Sequence, residues 1–479
     1  MPTLLTDIHC LVPMTGARDL PAPVLRDAAL LVIENRIAWV GKAAEAEAEV
    51  GSRGLADLER VSLRDHLVLP GLVSTHHHLY QTLTRCIAQD SGLFNWLKTL
   101  YPIWLRLTPE AVHTSALTGL AELMLSGCTT ASDHLYIYPN GCRIDDEIRA
   151  AREVGIRFHA TRGSMSLGES KGGLPPDRAT EDEGFILEDS ARAIREFHDP
   201  SRFSMLRIAL APCSPFSVTP ELMLQSARLA RRHGVMLHTH LAETHDEDRF
   251  CLEKFGKRPL DYLESLEWLG PDVWYAHGVH FSHADLHKMG LCGCGVAHCP
   301  SSNMRLASGI APIRLMWQNG VKVGLGVDGS ASNDGNHLLL EARQALLLQR
   351  VTDESFAMYE SPPTPLIEGE QKQRKAISAY EALWMATRGG AEVLGRDDIG
   401  QLAPGFAADL IAVNLNRVEY AGALHDPLAA VLFCAPRGVD FSMINGRVVV
   451  ERGRLTTLEL APVLQRHNRI SQAMIEGTA

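Results

Sequence analysis

Between about residue 70 and residue 395 the chain alternates two apolar patterns. Short runs rich in Val, Leu and Gly, such as LVLPGLVSTHHHL, GVMLHTHLAET, DVWYAHGVH and VKVGLGVDGS, read as buried strands. Between them lie longer stretches with helical spacing, PEAVHTSALTGLAELMLSG and PELMLQSARLARRHG, each opened by proline and closed by glycine as helix caps favour. About eight such units predict an α/β fold, a (β/α)8 TIM-like barrel with insertions. Residues 1–69 predict short strands instead, with ALLVIE and IAWVG paired through a turn at Asn35-Arg36. Residues 396–479 return to strands, and Asn445-Gly446 in FSMINGRVVVERGRL is a two-residue hairpin signal. The expected domains are therefore 1–69, 70–395 and 396–479, the first and last forming one small β-sandwich domain built from both chain ends.

Polar residues interrupt this pattern where a barrel places its chemistry, at the C-terminal ends of strands. His76, His78, His240, Glu243, His277 and Asp328 close the four strand-like runs. Strand alternation puts His76 and His78 on one face and His77 on the other. Imidazoles from His76, His78 and His240, with the Asp328 carboxylate, make a shell suited to zinc or ferrous iron rather than to magnesium or calcium, with a position left for water. Glu243, just past His240, can reach that water as a general base, and His277 can polarise the water or a developing oxyanion. Asp328 can also accept a proton. A lone histidine at a strand end is ordinarily structural; six polar residues in chain order at the ends of four separate runs are not explained that way. His238, His280, His283 and His298 lie off these positions and read as structural or solvent-facing.

The loop after the first barrel strand carries Tyr80, Gln81 and Arg85 and then FNWLKTLYPIW, with Trp96, Tyr101 and Trp104, in a chain only 6% aromatic. Aromatic faces and an amide suit a flat heterocycle held by stacking and paired hydrogen bonds. Gln81, Trp96 and Arg162 are the candidate substrate contacts, with a structural ion pair the alternative for Arg162 and core packing for Trp104. SKGGLPPD predicts an irregular, mobile loop.

Composition narrows the partners. With 479 residues, 46% hydrophobic and 22% charged, the chain can bury a sizeable core. Its formal net charge is -11, and no basic cluster stands out, which argues against a nucleic-acid polymer. No apolar stretch reaches the roughly 20 residues of a membrane span, and the N-terminus lacks a signal-peptide pattern, so no membrane partner and a cytoplasmic location are expected. Ten scattered cysteines show no zinc-ribbon or disulfide spacing; Cys292, Cys294 and Cys299 alternate as in a buried strand.

In order along the chain, PGLVSTHHHLYQT, LHTHLAET, YAHGVH, HCPSSNMRLASG and GLGVDGSASND resemble the barrel signatures of the amidohydrolase superfamily. The branch resembled is that of the aminohydrolases, which holds guanine deaminase, S-adenosylhomocysteine deaminase and the triazine hydrolases. The resemblance implies metal ligands at His76, His78, His240 and Asp328, a proton-relay carboxylate at Glu243 and a water-orienting histidine at His277. Two-metal members carry a carboxylated lysine at the end of the fourth strand. SMLRIALAPCSPFS has none, so one divalent ion is implied, zinc before iron.

HLYQTLTR, FNWLKTLYPIWLRLTPE, TRGSMSLGE with GGLPP, and APCSPFSVTPE are similar to segments of a narrower subgroup, the bacterial 8-oxoguanine deaminases, also labelled hydroxydechloroatrazine ethylaminohydrolase. The implied reaction is hydrolysis of 8-oxoguanine to urate and ammonia. Guanine deamination and displacement of chloride or an alkylamine from an s-triazine are the alternatives within enzymes. A non-catalytic barrel scaffold is the alternative from another class; such scaffolds lose ligands, and none is lost here. The implied partner is a small purine-like heterocycle, and homo-oligomerisation stays open.

Overall fold

A computed structural model describes residues 1–360, 376–434 and 437–478. Eight parallel strands, Leu72–Ser74, Cys128–Leu135, Arg157–Ser164, Leu206–Pro212, Met236–Leu241, Val273–His277, Gly295–His298 and Lys322–Leu325, pair in chain order, and Leu325 returns to Ser74 to close a barrel. The second, third, sixth and seventh strands are buried along their whole length. Parallel strands covered on both faces need no polar alternation; the sixth and seventh are short and largely apolar, whereas the second and third, CTTASDHL and RFHATRGS, carry buried polar residues.

The helices between the strands start where a side chain satisfies their free N–H groups. Thr108 accepts from the Ala111 N–H to cap Pro109–Leu125, and Thr219 accepts from the Leu222 N–H to cap Pro220–His233. LCGCGVAHCP divides differently from the single strand expected. Cys292 ends helix His283–Cys292, Gly293 stops it at φ 74°, and the strand proper is Gly295–His298.

Both chain ends feed one nine-stranded sheet. Thr3–Leu11, Leu25–Ile33, Arg36–Lys42, Glu59–Ser62 and His66–Pro70 join Leu410–Asn414, Phe441–Ile444, Arg447–Glu451 and Arg454–Leu455 where His66–Pro70 pairs antiparallel with Leu410–Asn414. Asn445 and Gly446 take φ 51° and 79°, the two positive values that a tight hairpin between right-twisted strands requires. The N-terminal hairpin turns at Glu34-Asn35, one residue earlier than expected, because Ile33 and Arg36 already pair as its closing residues. The last helix, Leu460–Glu476, adds nothing to the sheet; it packs on Pro109–Leu125 and on the short helix Leu79–Thr84 beyond the first barrel strand.

A buried ion pair fastens the sheet to the N-terminal mouth of the barrel. Arg157 Nε and Nη2 donate to Asp409 Oδ2 and Oδ1 at 2.9 and 3.0 Å. Among the described residues no helix is long and apolar enough to cross a membrane.

Candidate metal centre and active site

The six polar residues meet at the opposite, C-terminal mouth. His76 and His78 follow the first strand, His240 lies in the fifth with Glu243 just beyond, His277 ends the sixth, and Asp328 follows the eighth. His78 Nε2 and His240 Nε2 are 3.1 Å apart, and Asp328 Oδ1 is 3.2 Å from His76 Nε2 and 3.3 Å from His78 Nε2.

Each ring's other nitrogen fixes the tautomer. His78 Nδ1 lies 2.7 Å from the His134 carbonyl and His240 Nδ1 2.7 Å from the Cys213 carbonyl; a carbonyl only accepts, so Nδ1 carries the hydrogen and Nε2 is a bare lone pair. His76 reaches the same state through His238. That ring donates from Nδ1 to the Trp274 carbonyl at 3.0 Å and accepts at Nε2 from His76 Nδ1 at 2.8 Å. Burial pushes the pKa of all three rings down, that of His240 to about 3, so they stay neutral.

Three lone pairs and a carboxylate oxygen therefore converge. His76 Nε2 and Asp328 Oδ1 have no hydrogen-bond partner, a costly state for buried polar atoms that a divalent cation would relieve. The donor set fits zinc, and the carbonyl and histidine partners behind the rings are the kind that orient ligands. His277 and Asp328 hold φ values of 74° and 61°, which cost non-glycine residues on the order of 1–3 kcal/mol. The Asp328 N–H donates to the His76 carbonyl at 3.2 Å, and Ser332 Oγ donates to Asp328 Oδ2 at 3.0 Å, so strand and turn together impose that conformation.

Glu243 Oε2 lies 3.6 Å from His277 Nε2. Burial raises the Glu243 pKa to about 7, with His277 opposing and Asp328 reinforcing, which places the carboxyl where it can both take and return a proton. His277 Nδ1 donates to Asn303 Oδ1 at 3.0 Å, which sets the ring with Nε2 facing Glu243. Behind them the Glu247 carboxylate, fully buried, accepts the Ala242 and Glu243 N–H groups at 3.0 and 3.1 Å and so fixes the turn that presents Glu243.

A cavity lies over this cluster, lined by His78, His240, Glu243, His277 and Asp328 together with Gln81, Trp96, Tyr101, Tyr136 and Phe216. Gln81 and Trp96 thus line this cavity. Arg162 does not. Its Nη2 and Nη1 donate to Glu181 Oε1 and Oε2 at 3.0 Å each, its Nε donates to Asp189 Oδ2 at 2.9 Å and its Nη1 also meets the Gly163 carbonyl, so its fork is engaged by the protein away from the cavity. Trp104 is buried in the packing behind the cavity, its Nε1 donating to Thr84 Oγ1 at 3.1 Å. The SKGGLPPD stretch is irregular apart from short turns, but it is tied down: Lys254 Nζ donates to the Gly172 carbonyl at 2.8 Å, and the Leu174 N–H to the Phe216 carbonyl at 3.0 Å.

Three residues of the site were not singled out by the sequence patterns, and a fourth, His238, reads from them as structural or solvent-facing. His238 and Asn303 align His76 and His277, Ser332 holds Asp328, and His134 adds a fourth imidazole nitrogen within 4.8 Å of those of His76, His78 and His240. His134 ends a strand as its neighbours do, and His238 stands two residues before His240, the spacing that links His76 to His78. Both signals were legible.

A closed barrel with a metal-ready cluster of imidazoles and a poised carboxylate at its C-terminal mouth defines a metal-dependent hydrolase. The chain belongs to the Amidohydrolase family, whose sequence model matches residues 67–449. It is 51% identical over 416 residues, 86% of this chain and 88% of the relative, to an 8-oxoguanine deaminase of Pseudomonas aeruginosa. It is 38% identical over 486 residues, 99% of this chain and 96% of the relative, to a hydroxydechloroatrazine ethylaminohydrolase of Pseudomonas sp. strain ADP. Among solved structures, an atrazine chlorohydrolase of Arthrobacter aurescens TC1 complexed with zinc is similar with a TM-score of 0.87 and 32% identity, over 98% of this chain and 100% of that one. The chain is accordingly a hydrolytic deaminase of the amidohydrolase family, acting on C–N bonds.

Proposed function

We propose that this enzyme hydrolyses 8-oxoguanine to urate and ammonia, with one zinc ion held by His76, His78, His240 and Asp328. The observation that carries the substrate is the 51% identity to an 8-oxoguanine deaminase across most of both chains. The chemistry rests on the Glu243 and His277 pair beside the converging lone pairs. When bound, the ion would supply Lewis acidity toward the attacking water. Glu243 takes one proton from that water and returns it to the ring nitrogen beside the carbon that bears the exocyclic amine. His277 Nε2, aligned through Asn303, hydrogen-bonds the same water and so orients it. Asp328 passes the remaining hydroxyl proton to the amine, which leaves as ammonia while the carbon becomes a carbonyl. Aromatic lining by Trp96 and Phe216 suits a purine plane, and the Gln81 amide offers a donor and an acceptor to one edge of the base.

8-Oxoguanine presents a ring N–H where guanine presents an acceptor. A site paired to that N–H leaves a polar group unsatisfied when guanine binds, which lowers guanine kcat/KM by roughly ten- to hundred-fold. A second reading, displacement of an alkylamine or chloride from an s-triazine, is favoured by the fuller coverage of the ethylaminohydrolase relative and uses the same residues. A turnover panel of 8-oxoguanine, guanine, isocytosine, cytosine and hydroxylated triazines decides between them. Urate formation is followed by ultraviolet absorbance and ammonia by a coupled assay, and faster turnover of a triazine or of guanine would overturn the 8-oxoguanine assignment.

A further inference from the structure

We propose that the C-terminal helix Leu460–Glu476 is a positioning element of the active site, with His467 holding in place the short helix Leu79–Thr84 that brings Gln81 into the cavity. The short helix begins directly after His78, and all six of its residues are buried. It is a 3-10 helix, whose hydrogen-bond geometry is poor and which seldom persists without outside support. Gln81 itself is weakly tied. Its Oε1 accepts from the Ala331 N–H at 3.4 Å and its Nε2 donates to Tyr80 Oη at 3.5 Å, so the place of its amide depends on the backbone beneath it.

The hydrogens around Thr82 show what supplies the support. Ser115 Oγ donates to the Leu79 carbonyl at 2.6 Å, which commits its one hydrogen. Thr82 Oγ1 lies 2.6 Å from Ser115 Oγ, so that bond must use the Thr82 hydrogen. His467 Nε2, 2.8 Å from Thr82 Oγ1, must then be a donor. Burial lowers the His467 pKa to about 4, which keeps the ring neutral while it donates. One turn on, Ser471 Oγ donates to the Leu83 carbonyl at 2.6 Å. A further turn on, the Met474 carbonyl accepts from Arg106 Nη1 at 2.5 Å, and the Met474 side chain joins the apolar cluster that contains Tyr80, Trp96 and Tyr101. His467, Ser471 and Met474 share one face of the helix, and that face grips two of the segments that line the cavity.

His76, His78 and His240 are oriented by other partners, so the helix governs substrate binding and not metal retention. His467→Phe keeps a ring in the space but cannot donate; KM should rise by roughly ten-fold or more with kcat within about two-fold and metal content unchanged. His467→Gln places an amide N–H near the same point and should restore most of the loss. Ser471→Ala, which introduces no new bulk, should raise KM in the same direction. Backbone amide exchange over residues 79–84 should speed up in His467→Phe and Ser471→Ala.

The kinetic arm rests on the proposed function only for its substrate, and the exchange arm needs none. A wild-type enzyme that ignores 8-oxoguanine would overturn the substrate assignment alone. Unchanged exchange over 79–84 together with unchanged KM would overturn the positioning role, as would His467→Gln behaving like His467→Phe, or loss of kcat and metal without a change in KM.

Discussion

The barrel buries charge at both mouths and treats it in opposite ways. At the N-terminal mouth Arg157 is bound by Asp409 and by the Phe203 and Ser204 carbonyls, both at 2.7 Å, while Arg396 meets Asp398 through two bonds of 2.7 and 2.8 Å. At the C-terminal mouth three imidazole lone pairs face one another and Asp328 Oδ1 has no partner. A buried charge closed off by its own protein is scaffold; polar atoms left open in a cavity wall are there for something that binds. Arg162 shows why the distinction matters. It stands near the catalytic end of its strand, yet its carboxylate pairs place it with the scaffold.

Breaking the open mouth should give the largest effects. Asp328→Ala removes the proposed ligand and proton acceptor together, so metal content and turnover should both collapse. Glu243→Gln keeps size and hydrogen bonding but cannot take a proton; turnover should fall by about 10²-fold or more with metal content unchanged. Metal analysis beside steady-state kinetics separates the two roles, and a Glu243→Gln enzyme stripped of metal would mean that Glu243 is a ligand.

Breaking the closed mouth should act on folding alone. Arg157→Met leaves Asp409 buried without its counter-charge, a loss of about 3–5 kcal/mol. Denaturant titration should show that loss, while the folded fraction keeps its metal and its KM. A folded Arg157→Met protein that cannot hold metal would show that the two mouths are coupled, and the contrast between scaffold and site would fail.

The same contrast explains what could be read from the sequence. The six residues at the cluster stood out because each interrupts an apolar run at its C-terminal end, a one-dimensional mark of a three-dimensional place. The hairpin at Asn445-Gly446 was equally legible, since the turn itself demands residues that accept positive φ. Partners distant in sequence left no mark of that kind. Arg162 meets Glu181 and Asp189 from two later segments, His467 reaches Thr82 across 385 positions, and Arg157 reaches Asp409 across 252. The roles of His238 and Asn303 follow from tautomers, which only the carbonyl and amide oxygens around the rings reveal.

Asp133 and Glu147 form a third case, open atoms closed by a proton instead of a metal. Asp133 Oδ2 and Glu147 Oε1 are buried without hydrogen-bond partners, and the two carboxyls face each other behind the second barrel strand. Burial raises the Asp133 pKa to about 7 and holds that of Glu147 well above the usual carboxylate range, with each acting on the other. A carboxyl whose pKa is higher folded than unfolded contributes its full stability below the unfolded value, near 4, and loses it as pH rises through the folded value. The thermal midpoint should therefore fall as pH is raised from about 4 through about 7, with the loss continuing above that as the Glu147 proton is drawn off. Glu147→Gln offers Asp133 an N–H that needs no added proton, so it should flatten the slope while changing the midpoint at pH 7 by less than the Arg157→Met substitution does. A wild-type midpoint level across that window, or a Glu147→Gln slope equal to that of wild type, would show that no proton closes this pair and that its atoms belong with the open mouth.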